Sequence, residues 1–360
     1  MFGFSTYNAK DMINKVKKFA KRWWRGIKYD PSDPKYYEQV NIVAIGGGSG
    51  LSNLLEGLKY YTQNLTAIVT VTDSGTSSGR IRREFDILPP GDIRQCLAAL
   101  SRRNGTLREI FEYRFKSNTD GDLNGHSFGN IWLAALTQYF GSFEKAIEES
   151  GNLLDIVGKV YPSTLDKVDL VCEFANGKKI TGESEISEVN QPVKKLSLSK
   201  SAKAYEKAVL AIEKANIIVI GPGSLFTSIV PNILISGIRE AIKNNGKALK
   251  VFVCNVSTER GETENLTAED HIKILLDYLE SKLDLVLVND RIVKRSTNVH
   301  KLGEVNNITL PADKIFGMRV RHFDLIDSKN PLYHDNKKLA KAIMNCYDKK
   351  CQQETEREEK

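Results

Sequence analysis

Asn41-Ile42-Val43-Ala44-Ile45-Gly46-Gly47-Gly48-Ser49-Gly50-Leu51-Ser52-Asn53-Leu54-Leu55-Glu56-Gly57-Leu58 joins an apolar run of strand length to a glycine cluster and then to a helix. Leu51, Leu54, Leu55 and Leu58 recur at the three- and four-residue spacing of a helix with one buried face. Strand, glycine turn and helix N-terminus together form an anion site. Backbone N–H groups point into the turn, the helix dipole adds partial positive charge, and missing Cβ atoms let a phosphate come close. Four glycines in the five residues from Gly46 to Gly50 exceed what a tight turn alone requires. The turn is not a dinucleotide fingerprint, which would want a further glycine at Leu51 or Asn53. Nor is it a Walker loop, because no lysine follows Gly50. Gly47, Gly48, Ser49 and Gly50 are therefore expected to hold a phosphate, with the rest of the ligand open.

Outward from this turn, strand and helix signals alternate. Strands are expected at Leu65–Val71, Ile217–Ile220, Leu249–Cys254 and, as the last, Leu283–Val288. Helical patterns cover Asp92–Arg102, Leu107–Phe115, Ser127–Phe140, Phe143–Leu153, Ala202–Lys214, a single stretch from about Pro231 to Asn244, and Ala268–Ser281. A long polar loop is expected from Thr72 to Pro90. Alternation of this kind implies a Rossmann-like, doubly wound α/β domain over residues 40–345 with a mostly parallel sheet and right-handed crossovers. Between about 160 and 200 the pattern changes to two strand-like runs flanking Asn176-Gly177, the signal of a hairpin, so a small β insertion is expected there. The charged tail, 346–360, is expected to fray from Lys349.

Ligands of parallel sheets sit at the carboxyl ends of the strands, and the polar segments of this chain each follow a strand. Beside the first turn come Thr72–Arg80, Gly221–Ser228, Asn255–Thr258 and Asn289-Asp290, five loops around one crevice. Asp73 suits a ribose hydroxyl, a divalent cation or a turn cap. Ser77, Ser78 and Gly79 offer hydroxyl and N–H groups to a phosphate, with Arg80 or Arg82 as counter-charge. Gly221, Gly223 and Ser224 make a second glycine turn. His126, held between small residues in Gly125-His126-Ser127-Phe128-Gly129-Asn130, is a candidate base or phosphate ligand, and Asn130 a candidate contact. Asp92 reads as an acid at a helix N-terminus. The histidines show no metal-binding spacing, so no metal ligand is assigned, and serine hydrolysis is not expected.

The formal net charge of +7 is uneven: residues 1–40 carry +5 and the remainder +2. A near-neutral main domain argues against a nucleic-acid-binding core. The excess lies in residues 10–28, where Met12, Val16, Phe19, Trp23 and Ile27 share one helical face and lysines and arginines fill the other. That is the composition of a helix lying on an anionic membrane surface, or packed on protein. Asp30-Pro31-Ser32-Asp33-Pro34 would end it, making residues 1–39 an extension and linker. No apolar run approaches the roughly 18 residues of a membrane span, and no secretory signal is expected. Five scattered cysteines without a Cys-x-x-Cys suit reduced thiols.

The order and spacing of several motifs identify a family resemblance. They are Gly46–Leu51, Thr70-Val71-Thr72-Asp73, Ser77-Ser78-Gly79-Arg80, Leu88–Arg94, Tyr113-Arg114-Phe115, Gly125–Asn130, Pro162-Ser163-Thr164-Leu165, Gly182-Glu183-Ser184, Gly221–Ser228 with Pro231-Asn232, and Gly261-Glu262-Thr263. Residues 41–345 resemble the YvcK-type gluconeogenesis factors, relatives of the CofD phospholactate transferases. The resemblance implies a cytoplasmic regulatory protein that binds a nucleotide sugar such as UDP-N-acetylglucosamine. It further implies a role in cell shape and envelope growth on gluconeogenic carbon, with the envelope-synthesis machinery as partner. The CofD branch implies instead a magnesium-dependent transferase of a phosphorylated group. The chain departs from the family at Ser74, where a second aspartate is usual, and at Tyr333-His334-Asp335-Asn336, where Arg-His-Asp-Pro is usual. The arginine that could hold a diphosphate or sugar is thus absent unless Arg319 or Arg321 substitutes for it.

Overall fold

The computed structural model describes residues 37–102, 105–116, 121–189, 191–259, 262–264, 266–292 and 307–358. The basic segment 10–28, its linker and Gly261 lie outside them. The helices are α1 (Gly48–Leu58), α2 (Thr76–Phe85), α3 (Gly91–Leu100), α4 (Thr106–Glu112), α5 (Phe128–Phe140), α6 (Phe143–Leu154), α7 (Glu183–Ser187), α8 (Glu206–Glu213), α9 (Val230–Ile233), α10 (Ser236–Asn244), α11 (Ala268–Leu279) and α12 (Asn336–Glu358). The strands are β1 (Ile42–Gly46), β2 (Leu65–Val69), β3 (Lys159–Pro162), β4 (Leu170–Phe174), β5 (Lys179–Thr181), β6 (Val193–Leu198), β7 (Ile217–Ile220), β8 (Leu249–Val253), β9 (Leu285–Asn289), β10 (Lys314–Ile315) and β11 (Met318–Phe323).

Eight strands form one sheet in the order β10-β11-β9-β8-β7-β1-β2-β3, parallel throughout except for the β10–β11 edge pair. Residues of β1 alternate between two cores, one on each face: Ile42 and Ala44 join the first, Val43 and Ile45 the second. Ile217 and Val219 of β7 likewise face the first core, and Ile218 and Ile220 the second. Strands buried on both faces are apolar nearly throughout, which is why β7 reads as an unbroken Val/Ile run and β1 and β9 depart from apolar residues only at their last positions, Gly46 and Asn289. Burying each such side chain is worth about 1.5–3 kcal/mol relative to leaving it exposed. The doubly wound α/β expectation is met.

Ile42 pairs with Leu65 on one side and with Ile217 on the other. The chain therefore leaves β1 toward β2 and β3, then returns to β7 and continues toward β8, β9 and β11. The direction reverses between β1 and β7. In such sheets this switch point opens a crevice at the strand ends, and the two glycine turns both lie there.

Several local expectations change. Thr76–Phe85 is a helix, not part of a long loop, because a narrow stripe of Ile81 and Phe85 packs with Ala134 and Ile131 while its other positions stay polar. The stretch after β7 is a π-helical turn, Leu225–Ile229, followed by α9 and α10, with Ile235 in extended backbone (φ −81°, ψ 105°) breaking the last two. Sheet edges add β3, β10 and β11. The last helix runs on to Glu358, and Cys346 and Asp348 are buried, with Tyr37 Oη donating to Asp348 Oδ2 at 2.8 Å. The small sheet has the order β5-β4-β6. Its hairpin turns at Asn176-Gly177, where Gly177 adopts φ +82° and Asn176 Oδ1 accepts from the Lys178 N–H at 3.0 Å. No single helix among the described residues is long and apolar enough to cross a membrane.

Candidate ligand crevice

Gly47 precedes α1 in extended backbone, and no side chain caps that helix. The first N–H groups of a helix have no partner within it, so the turn presents donors to whatever enters. Gly48 adopts φ +59°, a left-handed conformation that costs other residues energy and glycine almost none. Gly50 is required for another reason. A Cβ there would stand 2.6 Å from the Pro222 carbonyl oxygen and 2.8 Å from Gly223 Cα, so the two glycine turns touch backbone to backbone.

Polar side chains fix this approach. Asn255 Oδ1 accepts from the Gly223 N–H at 3.1 Å, and its Nδ2 donates to the Gly223 carbonyl at 2.9 Å. Buried Asn232 donates to the Gly46 carbonyl at 3.1 Å and to the Ser228 carbonyl at 2.8 Å. Between the turns lies a cavity of about 300 Å³, lined by Gly47, Gly48, Ser49, Gly50, Pro222, Gly223 and Ser224. Asn53, Thr227, Ser228, Asn255, Ser257 and His334 complete its polar walls together with Glu183, Glu259 and Glu262.

The acids are the unexpected part. Glu262 accepts from the hydroxyls of Ser224, of Thr227 (3.0 Å) and of Ser187 (3.3 Å). Burial raises its carboxyl above the usual range, while those donors oppose the shift. Burial, and then Glu262, push Glu259 up to about 8. Glu183, on the short helix α7 of the insertion, is pushed to about 8 by burial and then by Asp73, Asp92 and Glu262. Asp92 is buried at the start of α3, and burial followed by Asp73 lifts it to about 7 against a hydrogen bond from the Gly48 N–H. At neutral pH Glu183 and Glu259 are largely protonated carboxyls and Asp92 partly so, able to donate as well as accept.

Asp73 and Asp92 face each other across glycines. A Cβ at Gly91 would stand 2.7 Å from Asp73 Oδ2, and one at Gly47 would stand 2.5 Å from Asp92 Oδ2. Ser78 Oγ, also against Gly91, is buried without a partner. Ser74 ties in the insertion: it accepts from the Ser184 N–H at 3.0 Å and donates to Glu185 at 2.9 Å. This tie is how Glu183 reaches the crevice.

Of the residues expected from sequence, Gly47, Gly48, Ser49, Gly50, Gly223 and Ser224 line the cavity, while Gly221 shapes its turn from behind at φ +75°. Asp73 and Ser78 sit at its back, against Gly91 and Asp92. Ser77, His126 and Asn130 form a separate cluster: Ser77 Oγ lies 3.1 Å from His126 Nδ1 and accepts from Asn130 Nδ2 at 3.0 Å. Arg80 clamps the carbonyls of Asp122 (2.6 Å) and Asn124 (3.4 Å), pinning the 121–127 loop to α2, the helix that Gly79 also belongs to. Burial and then Arg80 lower the His126 pKa, so it is a neutral imidazole. Asn289 does not line the cavity either. It braces the segment beyond β11, donating to the Arg291 carbonyl at 2.6 Å and accepting from the Leu325 N–H at 3.3 Å. Arg319 lies exposed on β11 and reaches Gln353, and Arg321 is exposed on the same strand, so neither stands in for the missing arginine at the crevice.

Asp92, Glu183, Glu259 and His334 were not singled out as site residues from sequence. Buried acids at helix starts look like ordinary caps, and only the fold shows several sharing one crevice. His334 is buried, donates to the Cys254 carbonyl and is held down to about 4 by desolvation; its Nε2 has no partner.

Against known proteins, residues 42–326 match the model of the family described as 2-phospho-L-lactate transferase CofD. A relative from Aquifex aeolicus is 44% identical, over 85% of this chain and 96% of its own. The gluconeogenesis factor of Bacillus subtilis (strain 168) is 39% identical, over 86% of this chain and 98% of its own. The crystal structure of a Bacillus halodurans protein, described as a member of the UPF0052 family, superposes with a TM-score of 0.80 at 39% identity, covering 85% of this chain and 99% of that one.

Proposed function

Because this chain belongs to the CofD family, and its crevice offers a glycine cradle beside hydroxyls and neutral acids, we propose that it is a nucleotide-sugar-binding regulatory protein of the gluconeogenesis-factor type. The observation that carries this reading is the uncapped start of α1 at the switch point, facing Ser224, Asn255 and the Glu183–Glu259–Glu262 group across one cavity. A diphosphate suits the backbone donors of the glycine turn. Sugar or ribose hydroxyls suit the carboxyls, which can accept from and donate to them at neutral pH. UDP-sugars are the proposed ligands, and coupling carbon supply to envelope growth in the cytoplasm is the proposed role. Isothermal titration against UDP-N-acetylglucosamine, UDP-glucose, GDP and ADP tests it: a UDP-sugar is expected to bind best, and absence of heat with all of them would overturn the reading.

One observation favours a second reading, a metal-assisted transferase of a phosphorylated group. Asp73, Asp92 and the unpartnered Ser78 hydroxyl fit a divalent cation, which leans on one or two carboxylates plus the substrate's phosphates. Bound there, the ion would neutralise phosphate charge. Asp92 thus supplies the second carboxylate that Ser74 withholds. Turnover of a nucleotide-activated donor with magnesium, lost in Asp92→Asn, is the expected signature; a protein that binds nucleotide sugars yet turns none over in magnesium removes this reading.

A further inference from the structure

Beside the glycine turn runs a second depression of about 660 Å³, which shares Ser49, Asn53, Tyr333 and His334 with the cavity described above. Its inner wall carries Arg94, Arg108 and Arg114. Arg108 is neutralised twice, by Glu56 at 3.0 Å and Glu112 at 3.5 Å, and Glu56 is also held by Lys59 at 2.9 Å. Arg94 and Arg114 have no ion pair among the described residues. Arg114 is exposed, and its hydrogen bond runs to the Gly125 carbonyl at 3.1 Å.

Arg94 is only 5% exposed, and its Nε has no partner. Burying a guanidinium without a counter-ion is costly, and such groups are ordinarily paired. The fold has nonetheless made room for it. A Cβ at Gly129 would stand 2.5 Å from the Phe111 carbonyl oxygen, 2.8 Å from Arg94 Cγ and 2.9 Å from Cδ, so a glycine there lets α5 close on the α4 backbone and on the arginine stem together. Glu112, which is already paired with Arg108, and then Asp92, lifted to about 7 by burial and Asp73, offset only part of the Arg94 charge. Arg114 adds a like charge nearby. The depression thus holds two guanidiniums, Arg94 and Arg114, without an ion pair among the described residues, while its acids are engaged elsewhere: Glu56 and Glu112 with Arg108, and Asp327 with the Lys329 N–H.

We propose that Arg94 and Arg114 form an anion subsite for a carboxylate carried on the sugar of a nucleotide sugar whose diphosphate lies in the glycine turn. The preferred ligand class is then an acidic nucleotide sugar. This inference rests on the nucleotide-sugar reading above, and it extends that reading with a second recognition point. The shared residues Ser49, Asn53 and His334 make one ligand spanning both spaces possible. The subsite accounts for the loss of an arginine at Tyr333: the positive charge is supplied from α3 and the loop after α4.

UDP-glucose and UDP-glucuronate differ only at one carbon of the sugar, an alcohol in one and a carboxylate in the other, and provide the test. UDP-glucuronate is expected to bind the full chain roughly tenfold more tightly, the contribution of one charge-assisted hydrogen bond. Arg114→Gln, at an exposed position that leaves folding intact, is expected to close most of that gap, and Arg94→Lys part of it. Equal affinities in the wild type, or an equal loss for both ligands in the Arg114 variant, would overturn the proposal. Should neither UDP-sugar bind, the nucleotide-sugar reading falls and the subsite is read with inorganic phosphate alone. A rise in Tm with phosphate in the wild type that is smaller in Arg114→Gln upholds the anion site, and identical responses sink it.

Discussion

Replacing Gly50 with alanine is expected to lower Tm by roughly 3–10 °C and to weaken nucleotide-sugar binding by at least about tenfold. The added Cβ would fall 2.6 Å from the Pro222 carbonyl oxygen and 2.7 Å from its carbon. These are backbone atoms of the second glycine turn, not the tip of a flexible side chain, so the turns themselves must separate. Separation strains the paired hydrogen bonds between Asn255 and Gly223 and the Asn232 contact to the Gly46 carbonyl. The cost of forcing extra volume into such a contact is about 1–3 kcal/mol. The effect on binding follows because the cavity is the gap between these turns, and widening it pulls Ser224 and Asn255 away from a phosphate held on α1. Gly246→Ala is the control: a Cβ there meets nothing within 4 Å, and neither stability nor affinity should move. Thermal unfolding and titration of both variants check this. An unchanged Tm and affinity in Gly50→Ala would show that the turns are not in register as described.

Much of the frame was legible because two signals are local. Unbroken apolar runs ending in glycine gave β1 and β7, and the leucine spacing gave α1. The strands toward the two ends of the sheet were not legible: β3 and β11 mix buried with exposed or half-buried positions, because one of their faces is not covered as the central strands are. The helix at Thr76–Phe85 was masked by its own polarity, since two apolar side chains suffice to dock it on α5. At the site, the glycine turns announced themselves through a backbone requirement that only glycine meets. The acids did not. Asp92, Glu183 and the pair Glu259 and Glu262 come from three separate segments, and nothing local distinguishes a buried acid from a cap. Ser74 is the instructive case. Read alone it is a lost carboxylate; in the fold it anchors the insertion that delivers Glu183, while Asp92 comes to face Asp73 from α3. His126 lies in a cluster apart from the cavity lining, with its Nδ1 3.1 Å from Ser77 Oγ, a placement that its small polar neighbours in sequence do not reveal.

The acid cluster should make the ligand-free protein less stable as the pH rises, the reverse of the usual behaviour of carboxylates held in ion pairs. Asp92 stands near 7 instead of 3.8, and Glu183 and Glu259 near 8 instead of 4.5. Above about pH 4 the unfolded chain loses these protons while the folded one keeps them, so folding retains protons that unfolding releases. Their contribution to stability is complete below the unfolded values and is lost as the pH climbs through the folded ones. Each retained proton gives a slope of about 1.4 kcal/mol per pH unit in that window. Tm is therefore expected to fall between about pH 5 and 8.5, and Asp92→Asn or Glu183→Gln to flatten that fall. The same linkage reaches the ligand. A diphosphate entering beside neutral carboxyls meets donors, whereas above about pH 8 it meets a cluster of negative charges. In chelator-containing buffer, affinity for a UDP-sugar should then drop roughly tenfold or more across that range. If magnesium restores the alkaline affinity, a cation is taking the place of the protons between Asp73 and Asp92, and the transferase reading gains. If magnesium leaves the drop unchanged, the protons themselves complete the site, as the sensor reading requires. A Tm that stays flat or rises from about pH 5 to 8 would mean that the acids are ionised in the folded protein, and neither reading of the crevice could rest on neutral carboxyls.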